Sequence, residues 1–158
     1  MKNVRTAILD DEISNIEILK RILLDCENVE VIWTADNLDD ALANIEKERV
    51  DVVFMDIQLP PYTSFELLPK ISNLNFEIVF VTAYQEYAVR ALKMAAMDYI
   101  LKPFKASDII SAIEKVRTKQ SKFGEISGLG KNYFSSAPEN FSKIVVHVAD
   151  GYDIVDIN

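Results

Sequence analysis

Residues 50–56 read VDVVFMD, a short, mostly apolar run that ends on an aspartate. Apolar runs of this length are typical of strands buried on both faces of a parallel sheet. Similar runs occur at residues 5–9, 29–35 and 77–81, and a shorter one at 99–101. The sequence therefore predicts five buried strands.

Helical patterns separate the five runs. Residues 14–17 (SNIE) have the S-x-x-E form of a capping box, and apolar residues follow at helical spacing. Further helices are predicted at residues 38–47, 65–71, 87–94 and 107–116. Because strands and helices alternate strictly, we expect a doubly wound α/β domain over residues 1–122, with a parallel sheet covered on both faces.

Polar side chains follow four of the five predicted strands. They are Asp10, Asp11, Asp56, Thr82 and Lys102. In a parallel sheet they converge at the carboxyl edge, where open α/β sheets bind ligands. Three carboxylates need a cation to relieve their repulsion, and the cation, the hydroxyl and the ammonium can together neutralise phosphoryl oxygens. The pattern indicates a site for a divalent cation and a phosphoryl group.

Each of these groups has an ordinary structural explanation when it is taken alone. The acids at residues 10–12 are favoured at a helix N-terminus by the helix dipole. An aspartate such as Asp56 suits a turn after a strand, and Lys102-Pro103 suits a strand exit. Their joint occurrence at one predicted edge favours the functional interpretation.

Four motifs, taken together and in this order, resemble the receiver domain of bacterial two-component response regulators. They are ILDDE at 8–12, FMDIQLP at 54–60, FVTAY at 80–84 and DYILKPF at 98–104, and the resemblance covers residues 4–116. It implies a flavodoxin-like, five-stranded parallel sheet of order 2-1-3-4-5. It also implies a signalling protein, not an enzyme, which receives a phosphoryl group from a sensor histidine kinase in a magnesium-dependent reaction.

The resemblance assigns the phosphoryl acceptor and the metal ligands. Asp56 would be the phosphoacceptor and would also be a ligand of the Mg²⁺ ion. Asp11 would bind the ion directly, Asp10 largely through water, and the main-chain carbonyl of Gln58 would supply a further oxygen.

The resemblance also assigns the residues that respond to phosphorylation. Thr82 and Lys102 would each contact a phosphoryl oxygen, and Tyr99 would change rotamer as the threonine moves toward the phosphate. The Lys102–Pro103 peptide bond is commonly cis in the family, and proline makes that isomer accessible. Homodimers are implied on the face formed by residues 87–94, 99–101 and 107–116.

The segment after Pro60 departs from the family pattern. A glycine is usual before the F-E-L sequence, but residues 61–64 read PYTS here. Ser64 can cap the helix predicted at 65–71, whereas a positive φ in this loop would be costlier than with glycine.

The sequence also bears on other functions that an α/β domain of this kind could have. Residues 1–123 contain no glycine, which excludes a dinucleotide fingerprint and a P-loop there. A haloacid-dehalogenase-like phosphatase also uses an aspartate and magnesium, but Ile57 and Gln58 after Asp56 break its D-x-D pattern. A phosphorylation-independent, receiver-like interaction module remains the alternative.

The C-terminal part changes character. Residues 123–142 mix Gly, Ser, Asn, Lys and Pro and are typical of a linker. KIVVHVA at 143–149 and YDIVDI at 152–157, joined by Asp150-Gly151, predict a β-hairpin with edges available to another chain. Residues 143–158 resemble the opening strands of a LytTR-type DNA-binding domain, which usually follows a receiver with T-A-Y-x-x-Y-A, as at 82–88.

Charge and hydropathy restrict the partners. The net charge of −8 lacks the basic footprint of a DNA-binding surface, so DNA contact is expected only through a complete output domain. No apolar run approaches the ~20 residues needed to span a bilayer, and the N-terminus lacks a signal-peptide pattern. We therefore expect no membrane contact and a cytoplasmic location.

Overall fold

The structure, a computed structural model, describes residues 2–127, 143–148 and 151–156, with side chains for residues 2–123. Its main strands are β1 (Val4–Leu9), β2 (Val29–Ala35), β3 (Val52–Met55), β4 (Glu77–Thr82), β5 (Asp98–Leu101), β6 (Lys143–Val148) and β7 (Gly151–Asp156). Its α-helices are α1 (Ile13–Leu24), α2 (Leu38–Lys47), α3 (Ala88–Lys93) and α4 (Ala106–Ser127). None of these helices is long and apolar enough to cross a membrane.

The first five strands form the predicted parallel sheet. Their order is β2-β1-β3-β4-β5, so the doubly wound topology is confirmed. Leu9 at the end of β1 pairs with Met55 at the end of β3, and Met55 pairs with Phe80 in β4. Because the strand ends are level, the residues that follow β1 and β3 emerge at the same edge.

Apolar layers cover both faces of the sheet. Ile8 and Phe54 pack on one face in a cluster with residues of α1 and α4. Met55 and Phe80 pack on the other face in a cluster with residues of α2 and α3. All four side chains are fully buried. Burial on both faces explains why the strands are continuous apolar runs instead of alternating ones.

The helix predicted at residues 65–71 is absent. The chain forms two 3₁₀ turns there, Ser64–Glu66 and Leu68–Lys70. Pro69 lacks a backbone N–H, and its ring would clash with the carbonyl four residues earlier in an α-helix. The apolar spacing indicated a helix, but this proline limits the segment to short turns.

The capping box predicted at residues 14–17 is also wrong. Helix α1 begins at Ile13, with Glu12 as its N-cap and no side-chain capping bond. The Glu12 N–H donates instead to Asp10 Oδ1 at 2.9 Å. Because Asp10 already fixes the chain ahead of the helix, Ser14 lies inside the first turn.

The loop after Pro60 avoids the conformation that would have needed glycine. Gln58–Leu59 pairs with Tyr62–Thr63 in a short antiparallel ladder, and the Pro60–Pro61 bond is cis. Among the described non-glycine residues, positive φ occurs at Asn28 and Ala95, outside this loop. Thr63, not Ser64 as predicted, is the N-cap of the first 3₁₀ turn, and its N–H donates to Glu66 Oε1 at 3.3 Å.

Helix α4 and the hairpin alter the predicted C-terminal organisation. Helix α4 extends to Ser127, past the linker start predicted at residue 123, while residues 128–142 lie outside the described part. Strands β6 and β7 form the antiparallel hairpin, but Gly151, predicted in the turn, is the first residue of β7 and pairs with Val148, while residues 149–150 lie outside the described part. Strand β6 also pairs in parallel with β5, Ile100 opposite His147. The hairpin therefore extends the sheet to seven strands: the β6 edge, expected to be open to another chain, pairs with β5, whereas β7 is the last strand of the described sheet and has no strand on its outer edge.

Ending the chain after Ser127 should leave the fold almost intact. Strand β6 joins the sheet beyond β5, and the two strands pair at a single registered position. We expect the free energy of unfolding in urea to fall by no more than about 1–2 kcal/mol, equivalent to one or two net hydrogen bonds. Amide hydrogen exchange in β5 should become faster. A larger loss would show that the hairpin belongs to the core of the domain.

Candidate functional site

The polar residues that follow the strands meet at the carboxyl edge of the sheet. Lys102, directly after β5, places its Nζ 2.7 Å from Asp10 Oδ2 and 2.7 Å from Asp56 Oδ2. Asp10 and Asp56 follow β1 and β3. One ammonium therefore joins two carboxylates that are 46 or more residues away in sequence.

Backbone hydrogen bonds extend the sheet by one residue and fix these positions. The Asp10 N–H donates to the Ala35 carbonyl at 3.1 Å, and the Asp56 N–H donates to the Leu9 carbonyl at 2.8 Å. The Lys102 N–H donates to the Thr82 carbonyl at 2.8 Å. The site residues are thus held by the sheet and not by flexible loops.

The two carboxylates have different second partners. Asp10 is 1% exposed, and its Oδ1 accepts the Glu12 N–H, with Asn15 Nδ2 at 3.5 Å. Asp56 is 7% exposed, and its Oδ1 accepts the Gln58 N–H at 3.2 Å. Each carboxylate is therefore oriented through both of its oxygens.

Lys102 is held as an ammonium by its two partners. Burial lowers the pKa of its side chain, but the hydrogen bonds to Asp10 and Asp56 outweigh burial, so the net pKa is raised. Because the folded pKa exceeds the unfolded one, this contribution to stability is complete below the ordinary lysine pKa and is lost as pH rises through the folded value. The ammonium is present at neutral pH.

Asp11 completes a group of three carboxylates that can hold a metal ion. Ligand oxygens of Asp10, Asp11 and Asp56 all lie within 4.8 Å of one another. Partial desolvation and the charges of the other two carboxylates raise the pKa of Asp11. Its side chain is exposed, so an ion bound there would keep water ligands. Such a set of hard oxygen donors fits Mg²⁺.

Thr82 is the last residue of β4, and Tyr99 is the second residue of the neighbouring strand β5. Thr82 is fully buried, and its Oγ1 has no hydrogen-bond partner in the described part of the chain. Tyr99 is 3% exposed and donates its hydroxyl hydrogen to the Tyr84 carbonyl. Burial raises the pKa of Tyr99, which keeps the phenol protonated as a donor.

The structure adds two residues that the sequence did not single out for the site. Asn15 reaches Asp10 from α1, and Tyr87 accepts a hydrogen bond from Gln58 Nε2 at 2.6 Å. Tyr87 also packs against Tyr84, with the ring centres 6.1 Å apart. The Lys102–Pro103 bond is cis, as expected. The role of the Gln58 carbonyl as a metal ligand stays a prediction.

Comparison with known proteins identifies similar domains. Residues 6–114 match the family described as response regulator receiver domain. The chain is 40% identical over 120 residues to the sensory transduction protein LytT of Bacillus anthracis, covering 74% of this chain and 48% of that protein. It is 33% identical over 141 residues to the sensory transduction protein LytR of Staphylococcus haemolyticus (strain JCSC1435), covering 88% of this chain and 53% of that protein. The chain thus spans about half the length of these curated relatives.

A solved structure agrees with these relatives. The response regulatory domain of protein mrkE from Klebsiella pneumoniae superposes with a TM-score of 0.69 at 31% identity. The match covers 75% of this chain and 99% of the solved one. The part of the chain that carries the carboxylate cluster therefore corresponds to a complete solved domain.

Replacing Asp11 by Asn should separate charge repulsion from metal binding. In the presence of EDTA at pH 7 the variant should be at least as stable as the parent, because one of three crowded carboxylates is removed. Added Mg²⁺ should stabilise the parent by mass action and the variant much less. Urea unfolding with and without Mg²⁺ measures both effects.

Glu12→Gln is the matched control, since it removes a neighbouring negative charge that lies outside the cluster. It should keep the Mg²⁺ response of the parent. An equal loss of the Mg²⁺ response in the two variants would contradict Asp11 as a ligand.

Proposed function

The chain belongs to the response regulator receiver family, and on that premise we propose that it accepts a phosphoryl group on Asp56 from a sensor histidine kinase. The observation that carries the proposal is the Lys102 ammonium, which lies 2.7 Å from both Asp10 and Asp56. A cation between an acceptor carboxylate and a metal-binding carboxylate suits the transfer of a charged group.

The proposed reaction is a direct displacement. A carboxylate oxygen of Asp56 attacks the phosphorus of the kinase phosphohistidine, the P–N bond breaks, and the imidazole leaves. The product is an acyl phosphate on Asp56. Mg²⁺ held by Asp10, Asp11 and Asp56, with the Gln58 carbonyl as a further ligand, would neutralise charge on the phosphoryl oxygens.

The protein's own residues contribute position and charge. Phosphoryl transfer requires little covalent chemistry from the protein beyond its nucleophile. The Lys102 ammonium would transfer its hydrogen bond from the Asp56 carboxylate to a phosphoryl oxygen, where negative charge develops. The protein would act only on its own phosphorylation and dephosphorylation, so we do not class it as an enzyme.

Thr82 and Tyr99 would convert the covalent change into a conformational one. The Thr82 hydroxyl is buried without a partner in the described chain, and a phosphoryl oxygen would supply one. An unpaired buried hydroxyl costs about 1–3 kcal/mol, which is enough to bias a two-state equilibrium. Tyr99 packs behind the site, with its ring 6.3 Å from Phe80, and would report that shift on the β5 side of the domain.

A surface beside Lys102 suits the kinase partner. Ile13 and Ile18 of α1 are 55% and 51% exposed. Ile18 also lines a pocket of about 340 Å³, together with Asn15, Lys102, Pro103 and Phe104. Exposed apolar side chains around a reactive site are typical of a docking surface. We place the kinase there, and a cytoplasmic location follows from such a partner.

The proposed output is transcriptional. LytT and LytR are named sensory transduction proteins, and they are about twice as long as the matched segment. Phosphorylation would favour a homodimer through α3, β5 and α4, and because β6 pairs with the β5 edge of this face, the hairpin would have to leave that edge first. DNA would be bound by an output domain that begins near the hairpin and not by the acidic receiver.

Asp56→Asn should abolish phosphorylation. Incubation with acetyl phosphate and Mg²⁺ should add the mass of one phosphoryl group to the parent, measured by intact mass spectrometry. The amide is nearly isosteric with the carboxylate but is not a nucleophile of comparable strength. Asp36→Asn is a matched control, because Asp36 follows β2 at the same sheet edge and lies outside the carboxylate cluster.

The two alternatives give opposite mass results. A parent protein that gains no phosphoryl group would favour the phosphorylation-independent interaction module. A phosphoryl group retained by the Asp56 variant would place the acceptor at another residue.

Thr82→Val should separate stability from signalling. Removing a buried, unpaired hydroxyl should keep or raise the stability of the unmodified protein by about 1 kcal/mol. The same change should reduce dimer formation with beryllofluoride and Mg²⁺, because the hydroxyl cannot contact the phosphoryl mimic. Urea unfolding and analytical ultracentrifugation measure the two effects. A variant that dimerises like the parent would exclude Thr82 from the switch.

A further inference from the structure

Gln58 forms hydrogen bonds in two directions. Its backbone N–H donates to Asp56 Oδ1 at 3.2 Å, and its side-chain Nε2 donates to the Tyr87 hydroxyl at 2.6 Å. Gln58 and Tyr87 are 29 residues apart in sequence, and both are half-buried. One residue therefore contacts both the acceptor carboxylate and the segment that leads into α3.

The Tyr87 ring is held by its aromatic neighbours. It lies 5.9 Å from the Phe65 ring and packs edge-on against Tyr84 at 6.1 Å. The Arg90 guanidinium lies over the Phe65 ring, 4.1 Å from its centre. Such ring pairs prefer defined geometries, so the Tyr87 hydroxyl has a defined position.

The same segment also holds Tyr99. The Tyr99 hydroxyl donates to the backbone carbonyl of Tyr84, three residues before Tyr87. Residues 84–87 are thus connected to β5 through Tyr99 and to the Asp56 loop through Gln58. If this segment moves, the Tyr84 carbonyl moves with it, and the buried Tyr99 hydroxyl loses or changes its hydrogen-bond acceptor.

We infer that Gln58 is a positioning residue that stabilises the buried arrangement of Tyr99 through its hydrogen bond to Tyr87. The inference rests on the proposed phosphoacceptor function and adds a connection from Asp56 to Tyr99 that does not pass through Thr82. Both Asp56 oxygens have partners, Lys102 on Oδ2 and Gln58 on Oδ1. A new phosphorus–oxygen bond on Asp56 must displace one of these partners or change the geometry of its hydrogen bond. We therefore expect the hydrogen bond from the Gln58 backbone N–H to Asp56 to change on phosphorylation.

A double-mutant cycle tests the hydrogen bond itself. Gln58→Met keeps side-chain length and removes the donor, while Tyr87→Phe keeps the ring and removes the acceptor. The Tyr99 environment is read by ¹⁹F NMR of fluorotyrosine-labelled protein, with Tyr99→Phe to assign its signal. The affinity for beryllofluoride with Mg²⁺ is measured on the same variants by calorimetry. Tyr84→Phe is the control, since it removes a neighbouring hydroxyl but leaves the Gln58–Tyr87 bond.

Each single variant should shift the Tyr99 signal of the unmodified protein toward the solvent-exposed position. Each should also weaken beryllofluoride binding in the presence of Mg²⁺ roughly two- to tenfold, the range expected for one net hydrogen bond, because Gln58, whose carbonyl is a proposed Mg²⁺ ligand, loses its side-chain anchor. The double variant should be no weaker than the singles, because both changes remove the same interaction. The Tyr84 variant should match the parent in both measurements.

Two results would overturn the inference. One is a parent-like Tyr99 signal in both single variants, even if urea unfolding shows lower stability, since the bond would then only support the loop. The other is additive losses in the double variant. If the parent itself binds no beryllofluoride, the proposed function fails, whereas the Tyr99 signal in the unmodified variants still decides whether Gln58 positions Tyr99.

Discussion

The Lys102 ammonium between Asp10 and Asp56 is the interaction on which the rest of the site depends. The side chains of the three residues are 15%, 1% and 9% exposed, so the charges are largely removed from water. Removing one partner of such a buried group costs about 3–5 kcal/mol, because the remaining charges are left uncompensated. Even with Lys102 present, three carboxylates surround one cation, and partial desolvation together with the charges of Asp10 and Asp56 raises the pKa of Asp11. The unmodified site is therefore arranged to take up positive charge and a ligand that can share Lys102.

The parallel sheet makes this arrangement possible. Level strand ends bring Asp10 and Asp56 to one edge, and backbone hydrogen bonds to Leu9 and Ala35 hold them there. Burial on both faces makes the sheet a rigid support, so small changes at the edge are transmitted through packed side chains instead of being absorbed. Phe80 is one such packed side chain, since its ring lies 5.4 Å from the Phe65 ring and 6.3 Å from the Tyr99 ring.

Much of the fold could be predicted from the sequence because its strands and charged strand ends are local signals. The apolar run before Asp56 and the Lys102-Pro103 pair needed no tertiary information. The 3₁₀ turns required weighing one proline, Pro69, against an otherwise helical pattern. The early start of α1 depends on the Asp10 carboxylate, and the Gln58–Tyr87 bond joins residues 29 apart. Such contacts depend on side-chain direction in the folded chain, which periodicity does not encode.

We propose that Asp56, held by Lys102, accepts the phosphoryl group, so that one of its carboxylate oxygens becomes the bridging oxygen of an acyl phosphate. Acyl phosphates are reduced by borohydride, which converts a phosphorylated aspartate to homoserine and leaves free carboxylates unchanged. Treating the phosphorylated protein with borohydride and sequencing its peptides by mass spectrometry therefore identifies the acceptor directly. We expect homoserine at residue 56 alone. Homoserine at residue 10 or 11, or none in a protein that has gained phosphoryl mass, would contradict Asp56 as the phosphoryl acceptor.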